Sequence, residues 1–360
     1  MKGAIISLRS KSSLMVVKEM EKYFKTVDDI DLKNIEVNLG SASLEVLYEG
    51  KPMDTYDCVY LKGSFRYEPL LRSVATALYG KTYMPIKPAA FTVGHDKLLT
   101  QLDIQQHNIP MPTTYIAATA DAAKKILKKV NYPIVMKFPH GSHGKGVMFA
   151  DSYASASSML DALAALRQPF VIQEYVESGG IDIRAIVVGS KVVASMKRKA
   201  EFGEKRANIH IGGVGEPCEL DAHTKKLAIN AAEAIEADIC AVDILESAKG
   251  PTVIEINLSP GLQGITQATK VNVADKIAKF LHAKAKEFSE SGKKETTKDI
   301  LKEIEPSKEI ITNLDFRGNK ILLPEVITNI TKFTEKDEVS VKANEGKVSI
   351  KKFSVGQEKK

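Results

Sequence analysis

The chain has no tryptophan, three cysteines among 360 residues and 6% aromatic side chains. Cys58, Cys218 and Cys240 stand far apart without a C-x-x-C spacing, which excludes a disulfide framework and a cysteine zinc site and leaves buried free thiols as the expectation. Long apolar runs are missing too. Nothing approaches the roughly 18 consecutive apolar residues of a helical membrane span, and the opening run at residues 3–8 is too short for a signal peptide. A cytoplasmic protein with no membrane partner is expected. Neither charge sign dominates: 51 basic against 45 acidic residues leave +6 at pH 7, which suits anionic ligands but falls short of a nucleic-acid-binding composition. What remains is 44% hydrophobic and 27% charged residues, the balance of a globular chain of about two average domains or three small ones.

Residues 1–88 alternate strand-like and helix-like signals, with an apolar run at 3–8, an amphipathic stretch at 12–25, strands at 35–39, 44–48 and 57–61, and a helix at 68–78. This α/β pattern predicts a small open sheet with helices packed on it. Beyond residue 84, Pro85, Pro88, Pro110, Pro112 and Pro133 mark connections, because an interior proline removes a backbone hydrogen bond. Between them 96–107 and 120–130 read as helices and 113–117 and 134–138 as strands, followed by a glycine loop and a strand at 147–150. Residues 170–176, 181–188 and 191–196 are β-rich runs broken at Gly179-Gly180 and Gly189-Ser190, the second a two-residue hairpin signal. A helix at 223–236, strands at 239–245 and 252–258, and a helix at 273–288 complete the body. Residues 289–310 carry 11 charged residues of both signs in 22, the texture of a solvated linker or a short exposed helix. Strands at 320–323, 339–341 and 348–350 then form a small β module, residues 309–354, near the size below which a chain rarely folds alone. It is expected to pair with a second copy or to dock on the body.

The strongest local signal is Asp243 with Glu255-Ile256-Asn257. If the two strands fold back about Lys249-Gly250, Asp243 lies opposite Glu255, Asn257 projects from the same face, and Val242, Ile244, Ile254 and Ile256 fill the other. Two carboxylates within about 5 Å repel unless a cation lies between them. A hard, oxygen-ligated ion such as Mg2+ meets that need; an exposed polar face on an ordinary hairpin is the alternative. The loop His140-Gly141-Ser142-His143-Gly144-Lys145-Gly146 could turn backbone N–H groups toward phosphate oxygens, or be a plain tight turn. It is not a Walker A loop, since a strand and not a helix follows. Lys137, inside an apolar run just before it, is either a phosphate contact or an edge-strand lysine that discourages aggregation. Lys97 follows Asp96 at a helix start, where a cation is mildly unfavourable, which suggests a task. Arg184, Lys197 and Arg206 are candidates to hold phosphate and carboxylate groups, against the plainer reading of surface charge. The seven histidines show no metal spacing; His143 and His210 are loop residues that could touch a ligand.

Taken in order, Asp96-Lys97, Val135-Met136-Lys137, Gly141 to Val147, Gln173-Glu174-Tyr175, Asp182-Ile183-Arg184, Arg206 to Gly213, Val242-Asp243-Ile244 and Glu255 to Gly261 resemble the ATP-grasp fold, and within it the RimK branch of glutamate ligases. The resemblance implies an N-terminal α/β domain (1–88), an ATP-grasp region of two α+β subdomains (89–288), a charged linker (289–308) and the β module. It implies ATP between the subdomains, with Gln173, Glu174 and Tyr175 at the nucleobase and Lys97 and Lys137 on the phosphates. Gly141, Ser142, Gly144 and Gly146 belong to the closing lid, Asp182 to the ATP contacts, and Arg206 and Asn208 to the surroundings of the γ-phosphate. Asp243, Glu255 and Asn257 match the ligands of Mg2+ or Mn2+, with two ions expected. Arg184, Lys197 and Arg206 take catalytic places. The implied reaction joins glutamate or a similar amino acid to a carboxylate of a protein tail, a carrier protein or a coenzyme through an acyl phosphate. A dipeptide ligase and an ATP-sensing DNA-binding regulator are the alternatives. The segments Gly318 to Pro324, Lys336 to Val341 and Gly346 to Lys351 are similar to AbrB-type swapped-hairpin domains, which implies a homodimer; with little basic character in the first turn, DNA binding is not expected.

Overall fold

In the computed structural model, which describes residues 1–40, 44–139, 141, 146–199, 214–291, 315–318, 320–323, 331–334, 337–344 and 347–352, the opening apolar run forms strand β1 (Lys2–Ser7). Helix α1 (Lys11–Met20) follows, its first turn capped by the Ser10 hydroxyl, which accepts from the Ser13 N–H at 3.2 Å. Strand β2 (Thr26–Asp31) then runs parallel to β1. Strands β3 (Ile35–Leu39), β4 (Leu44–Tyr48) and β5 (Lys51–Pro52) form an antiparallel meander of their own, and β6 (Cys58–Leu61) returns to the other side of β1 ahead of α2 (Glu68–Leu78). The open sheet is therefore β2-β1-β6, and the segments at 35–39 and 44–48 expected in it lie elsewhere. Strand β2 carries three aspartates and buries only Ile30, so its apolar pattern is too thin to read. It is an edge strand, which needs one anchor and tolerates charge.

Lys62, immediately after β6, is 3% exposed, and its Nζ has no hydrogen-bond partner; it lies 5.1 Å from the centre of the Tyr60 ring. Burial pushes its ammonium from 10.5 down to about 8. A lysine whose native pKa is depressed carries its full penalty below the native value and loses it as pH rises toward the unfolded value. Lys62→Met is accordingly expected to raise unfolding stability at pH 7 by roughly 3 kcal/mol, with the gain shrinking above pH 8 and gone near pH 10.5. Urea titrations of both proteins at pH 7 and pH 10 measure it.

The second layer begins with α3 (Pro88–His95) and α4 (Lys97–Gln106). Asp96 caps α4, its carboxylate accepting from the Leu98 and Leu99 N–H groups at 2.7 and 3.1 Å, which puts Lys97 at the first helical position. Strand β7 (Thr114–Tyr115), α5 (Ala120–Leu127), β8 (Ile134–Lys137), β9 (Val147–Ala150), α6 (Tyr153–Ala165) and β10 (Val171–Glu174) make an antiparallel sheet in the order β7-β10-β8-β9. Its inner face meets α5 and α6 in a small core around Ile134, Met136, Leu127 and Leu160, while Val135 and Lys137 alternate to the other side.

A five-stranded antiparallel sheet follows: β11 (Ile181–Val188), β12 (Lys191–Lys199), β13 (Val214–Pro217), then α7 (Ala222–Ala234), β14 (Ile239–Ser247) and β15 (Gly250–Asn257), in the order β13-β12-β11-β14-β15. Helices α8 (Gln263–Thr269) and α9 (Val273–Ser291) complete this part, with α9 lying along α1. One continuous core joins the open sheet to this sheet across residue 88, from Ile5 and Tyr60 to Val242 and Leu281. The chain divides into two compact units, Met1–Ile300 and Leu301–Lys360. The second contains two antiparallel hairpins, β16 (Asp315–Arg317) with β17 (Lys320–Leu322) and β18 (Val339–Asn344) with β19 (Lys347–Lys352).

Candidate active site

Two β-bulges decide which side chains the site receives. The first lies in β12. Register continued unbroken from the Gly189-Ser190 turn would oppose Asp182 with Lys197, but the register shifts between Ile186 and Val187, where Val193 is the extra residue, so Asp182 faces Arg198. Lys197 thereby falls on the opposite face of the strand, 3.6 Å from Glu246 and nearly half exposed, away from the clefts. The second lies in β15. Asp243 opposes Glu255 as the fold-back predicts, but Ile244 pairs with Val253, leaving Ile254 as the extra residue. Ile254 is therefore not on the core face expected of it: Val253 fills the core and Ile254 lines the cleft.

The resulting face carries a buried charge ladder. The Arg184 Nε and Nη2 donate to the two oxygens of Asp243 at 2.8 and 2.7 Å. The Arg198 guanidinium forks onto Asp182 at 2.5 and 2.7 Å, and its Nη2 also lies 2.9 Å from Asp243 Oδ2. Arg198 and Asp243 are 2% and 4% exposed. Burial works to raise the Asp243 carboxyl, but Arg184 and Arg198 outweigh it and hold it below the ordinary carboxylate range. For Asp182 burial wins over Arg198, and the carboxyl is pushed up to about 6. Arg198 is the participant that sequence reasoning passed over in favour of Lys197; the signal that selects it is the strand register, which the bulge sets.

A cleft of about 150 Å³ lies between this face and the four-stranded sheet. Lys137 enters it from β8 and donates to Gln173 Oε1 at 2.6 Å, while Gln173 Nε2 donates to the Thr114 hydroxyl at 2.9 Å. Burial lowers the Lys137 ammonium to about 8, with Glu255 opposing the shift and Lys97 adding to it. Lys97 Nζ donates to the Gly141 carbonyl at 3.0 Å and lies 3.9 Å from Glu255. The Glu174 N–H is bonded to the Thr113 carbonyl, and Tyr175 meets the Phe149 ring edge to face, so this wall offers both polar and flat apolar surface. Gly146 holds φ +80°, and a Cβ there would strike the Phe138 ring, so no other residue fits the end of this loop. Of the expected site residues, Ser142, Gly144, Arg206 and Asn208 lie outside the described residues.

A second cleft, about 350 Å³, shares Lys97, Asp243, Ile254 and Glu255 with the first and adds Arg184, Asn257 and the loops after β1 and β6. The carboxylates thus stand on the seam between two cavities, one narrow and flat-walled, the other wide and polar. Asn257 Oδ1 accepts from the Ser259 N–H at 2.9 Å, a turn that orients the amide, and the Ser259 hydroxyl accepts from the Gly63 N–H at 2.9 Å. No group of three His, Cys, Asp or Glu side chains placed to hold a metal ion exists among the described residues. The donor set is two carboxylates and an amide oxygen, and it fits a hard cation that takes its remaining ligands from phosphate and water. A further cavity, about 650 Å³ beside Tyr79, Tyr83 and Phe280, contains none of these residues.

The narrow cleft thus lies between two α+β layers, with Lys97 and Lys137 on its lining and Asp243 and Glu255 at its seam with the wider one. Residues 94–281 match the RimK-like ATP-grasp domain family. A relative from Shewanella loihica named as a probable alpha-L-glutamate ligase is 37% identical over 267 residues, 72% of this chain and 87% of the relative. The crystal structure of a RimK domain ATP-grasp protein from Sphaerobacter thermophilus aligns with a TM-score of 0.61 at 17% identity, over 78% of this chain and 99% of that one. The ATP-grasp ligase PsnB, solved with a minimal precursor, Mg and ADP, aligns at 0.62 and 17% identity, over 79% and 98%. The chain belongs to the RimK-like ATP-grasp family. It is an ATP-dependent ligase that forms carbon–nitrogen bonds.

Proposed function

We propose that this ligase adds glutamate, or an amino acid like it, to a carboxylate of a protein tail, a carrier protein or a coenzyme. The observation that carries the reading is the placement of Asp243, Glu255 and Asn257 on the seam between the two clefts, where one cation could touch both nucleotide and acceptor. The naming of the Shewanella relative supports glutamate, and the precursor-bound PsnB supports a peptide acceptor.

In this reading ATP fills the narrow cleft, its base against Gln173, Glu174 and Tyr175, Asp182 on the sugar side, and Lys97 and Lys137 on the phosphates. The glycine loop around Gly141, Ser142, Gly144 and Gly146 closes over them, and Arg206 and Asn208 approach the γ-phosphate. Mg2+ or Mn2+, as two ions, supplies charge neutralisation of the triphosphate when bound by Asp243, Glu255 and Asn257. The acceptor carboxylate oxygen attacks the γ-phosphorus and the bond to ADP breaks. The amine nitrogen then attacks the acyl carbon, phosphate leaves, and the nitrogen gives up its proton. Negative charge spreads over oxygens in both steps, so the side chains act by position and field, with Arg184, on the lining of the wider cleft, assigned to the acyl oxygens. No protein nucleophile is needed. Closure keeps water from the acyl phosphate. The test is incubation of the protein with labelled glutamate, ATP and a cell extract, followed by mass identification of the labelled product. ADP release that needs both a carboxylate and an amino acid supports the ligase; ATP hydrolysis without an amine contradicts it.

The C-terminal module is read as a dimerisation element. Each of its hairpins is two-stranded, and Ile321, Val339, Val341 and Val348 are exposed, whereas an isolated hairpin is marginal in water. Truncation after residue 288 is expected to keep ATP binding and to change the light-scattering mass from that of two full chains to that of one shortened chain; a full-length protein with the mass of one chain, or a truncated one with the mass of two, contradicts this dimer. No described helix is long and apolar enough to cross a membrane.

A further inference from the structure

The Asp243 carboxylate, proposed above as a metal ligand, already has a full set of cationic partners. Arg184 Nε holds Oδ1 at 2.8 Å, Arg184 Nη2 holds Oδ2 at 2.7 Å, and Arg198 Nη2 lies 2.9 Å from Oδ2. Of the opposed pair, Asp243 takes its positive charge from these two guanidinium groups, reaching it from β11 and β12, while Glu255 on β15 faces Lys97 at 3.9 Å. The two arginines are not equivalent. Arg198 is 2% exposed and pinned by two further bonds to Asp182 on the nucleotide side. Among the described residues Arg184 bonds only to Asp243, and it lines the wider cleft, where the acceptor would sit.

We infer that Arg184 is a placeholder for the metal: it neutralises Asp243 whenever no cation is bound there, yields that carboxylate when one binds, and is thereby released as a positioning residue toward the acceptor carboxylate. A hard cation bound at about 2.1 Å and a bidentate guanidinium cannot share the same carboxylate lone pairs, and their like charges repel. Among the described residues Oδ1 is held by Arg184 alone and is the oxygen the exchange frees, while Arg198 keeps Oδ2 in place. The consequence is order. The acceptor gains its guanidinium only after the cation is in, so nucleotide and metal precede the acceptor, and a carboxylate is not gripped where it cannot be activated.

This rests on the reading of Asp243 as a metal ligand, and the test separates the two. Mn2+ is titrated into the full-length protein without nucleotide and followed by electron paramagnetic resonance, in the wild type, Arg184→Met and Asp243→Asn. Removing a competing cation should tighten Mn2+ in Arg184→Met by roughly tenfold or more, the scale of a lost bidentate charge pair, and Asp243→Asn should lose the site. An arginine that only contacts substrate, or only supports the fold, would not tighten the metal. Unchanged or weaker Mn2+ in Arg184→Met, with the site lost in Asp243→Asn, overturns the exchange and leaves the metal assignment standing. Wild-type Mn2+ affinity in Asp243→Asn overturns both. If Arg184→Met does not fold, the wild type carries the test by nuclear magnetic resonance: the Arg184 Nε–H signal, assigned by its loss in Arg184→Lys, should shift as Mg2+ is added, and a signal that does not move overturns the exchange.

Discussion

Glu255→Ala is expected to reduce turnover by roughly a hundred- to a thousandfold while leaving unfolding stability within about 1 kcal/mol of wild type. Asp243→Ala is expected to lose both. The difference follows from burial. Glu255 is 42% exposed in its side chain, and its ion pair among the described residues is with Lys97, at 3.9 Å, so solvent screens what its loss removes. Asp243 is buried and holds Arg184 and Arg198, so its removal strands positive charge in a dry place, which costs about 3–5 kcal/mol. Amine-dependent ADP release gives the activities and urea unfolding the stabilities. Wild-type rates in Glu255→Ala would show that the seam is not where catalysis happens.

The second large effect is expected at Arg198. Arg198→Ala removes both bonds from the buried Asp182 and one from Asp243, and should cost about 3–5 kcal/mol of stability. Burial already lifts the Asp182 carboxyl to about 6 with the guanidinium in place; without it the carboxyl climbs further, toward the neutral form. A neutral Asp182 is a poorer acceptor for ribose hydroxyls, so the KM for ATP should rise together with the loss of stability. Pairing the change with Asp182→Asn should recover part of the stability, since no buried carboxylate is then left without its partner. A urea midpoint in Arg198→Ala equal to wild type would contradict the ladder's structural weight.

How much of this was legible from the residues depended on whether the register was regular. Asp243 and Glu255 could be opposed from sequence because the β14–β15 turn is tight, with only two residues between Ser247 and Gly250. The same reasoning misplaced Ile254, the extra residue of the β15 bulge, and Lys197 was named before Arg198 on charge alone, whereas the extra residue in β12 moves every later side chain to the other face and sets Arg198 opposite Asp182. Nothing in the composition of 191–199 announces the bulge; Lys197 and Arg198 are both basic, and only the backbone chooses between them. Helix α6 escaped notice because its Ala- and Ser-rich sequence has a weak apolar stripe, and β2 because aspartates interrupt it. Lys97, by contrast, was marked by its unfavourable place at a helix start, and its Nζ does turn toward the cleft, to the Gly141 carbonyl.

The most direct test is anomalous diffraction from crystals grown with Mn2+ and a nonhydrolysable ATP analogue. The account predicts a manganese peak bounded by the side-chain oxygens of Asp243, Glu255 and Asn257, touching the triphosphate. A nucleotide bound with manganese elsewhere, and Asp243 still held by Arg184, would contradict it.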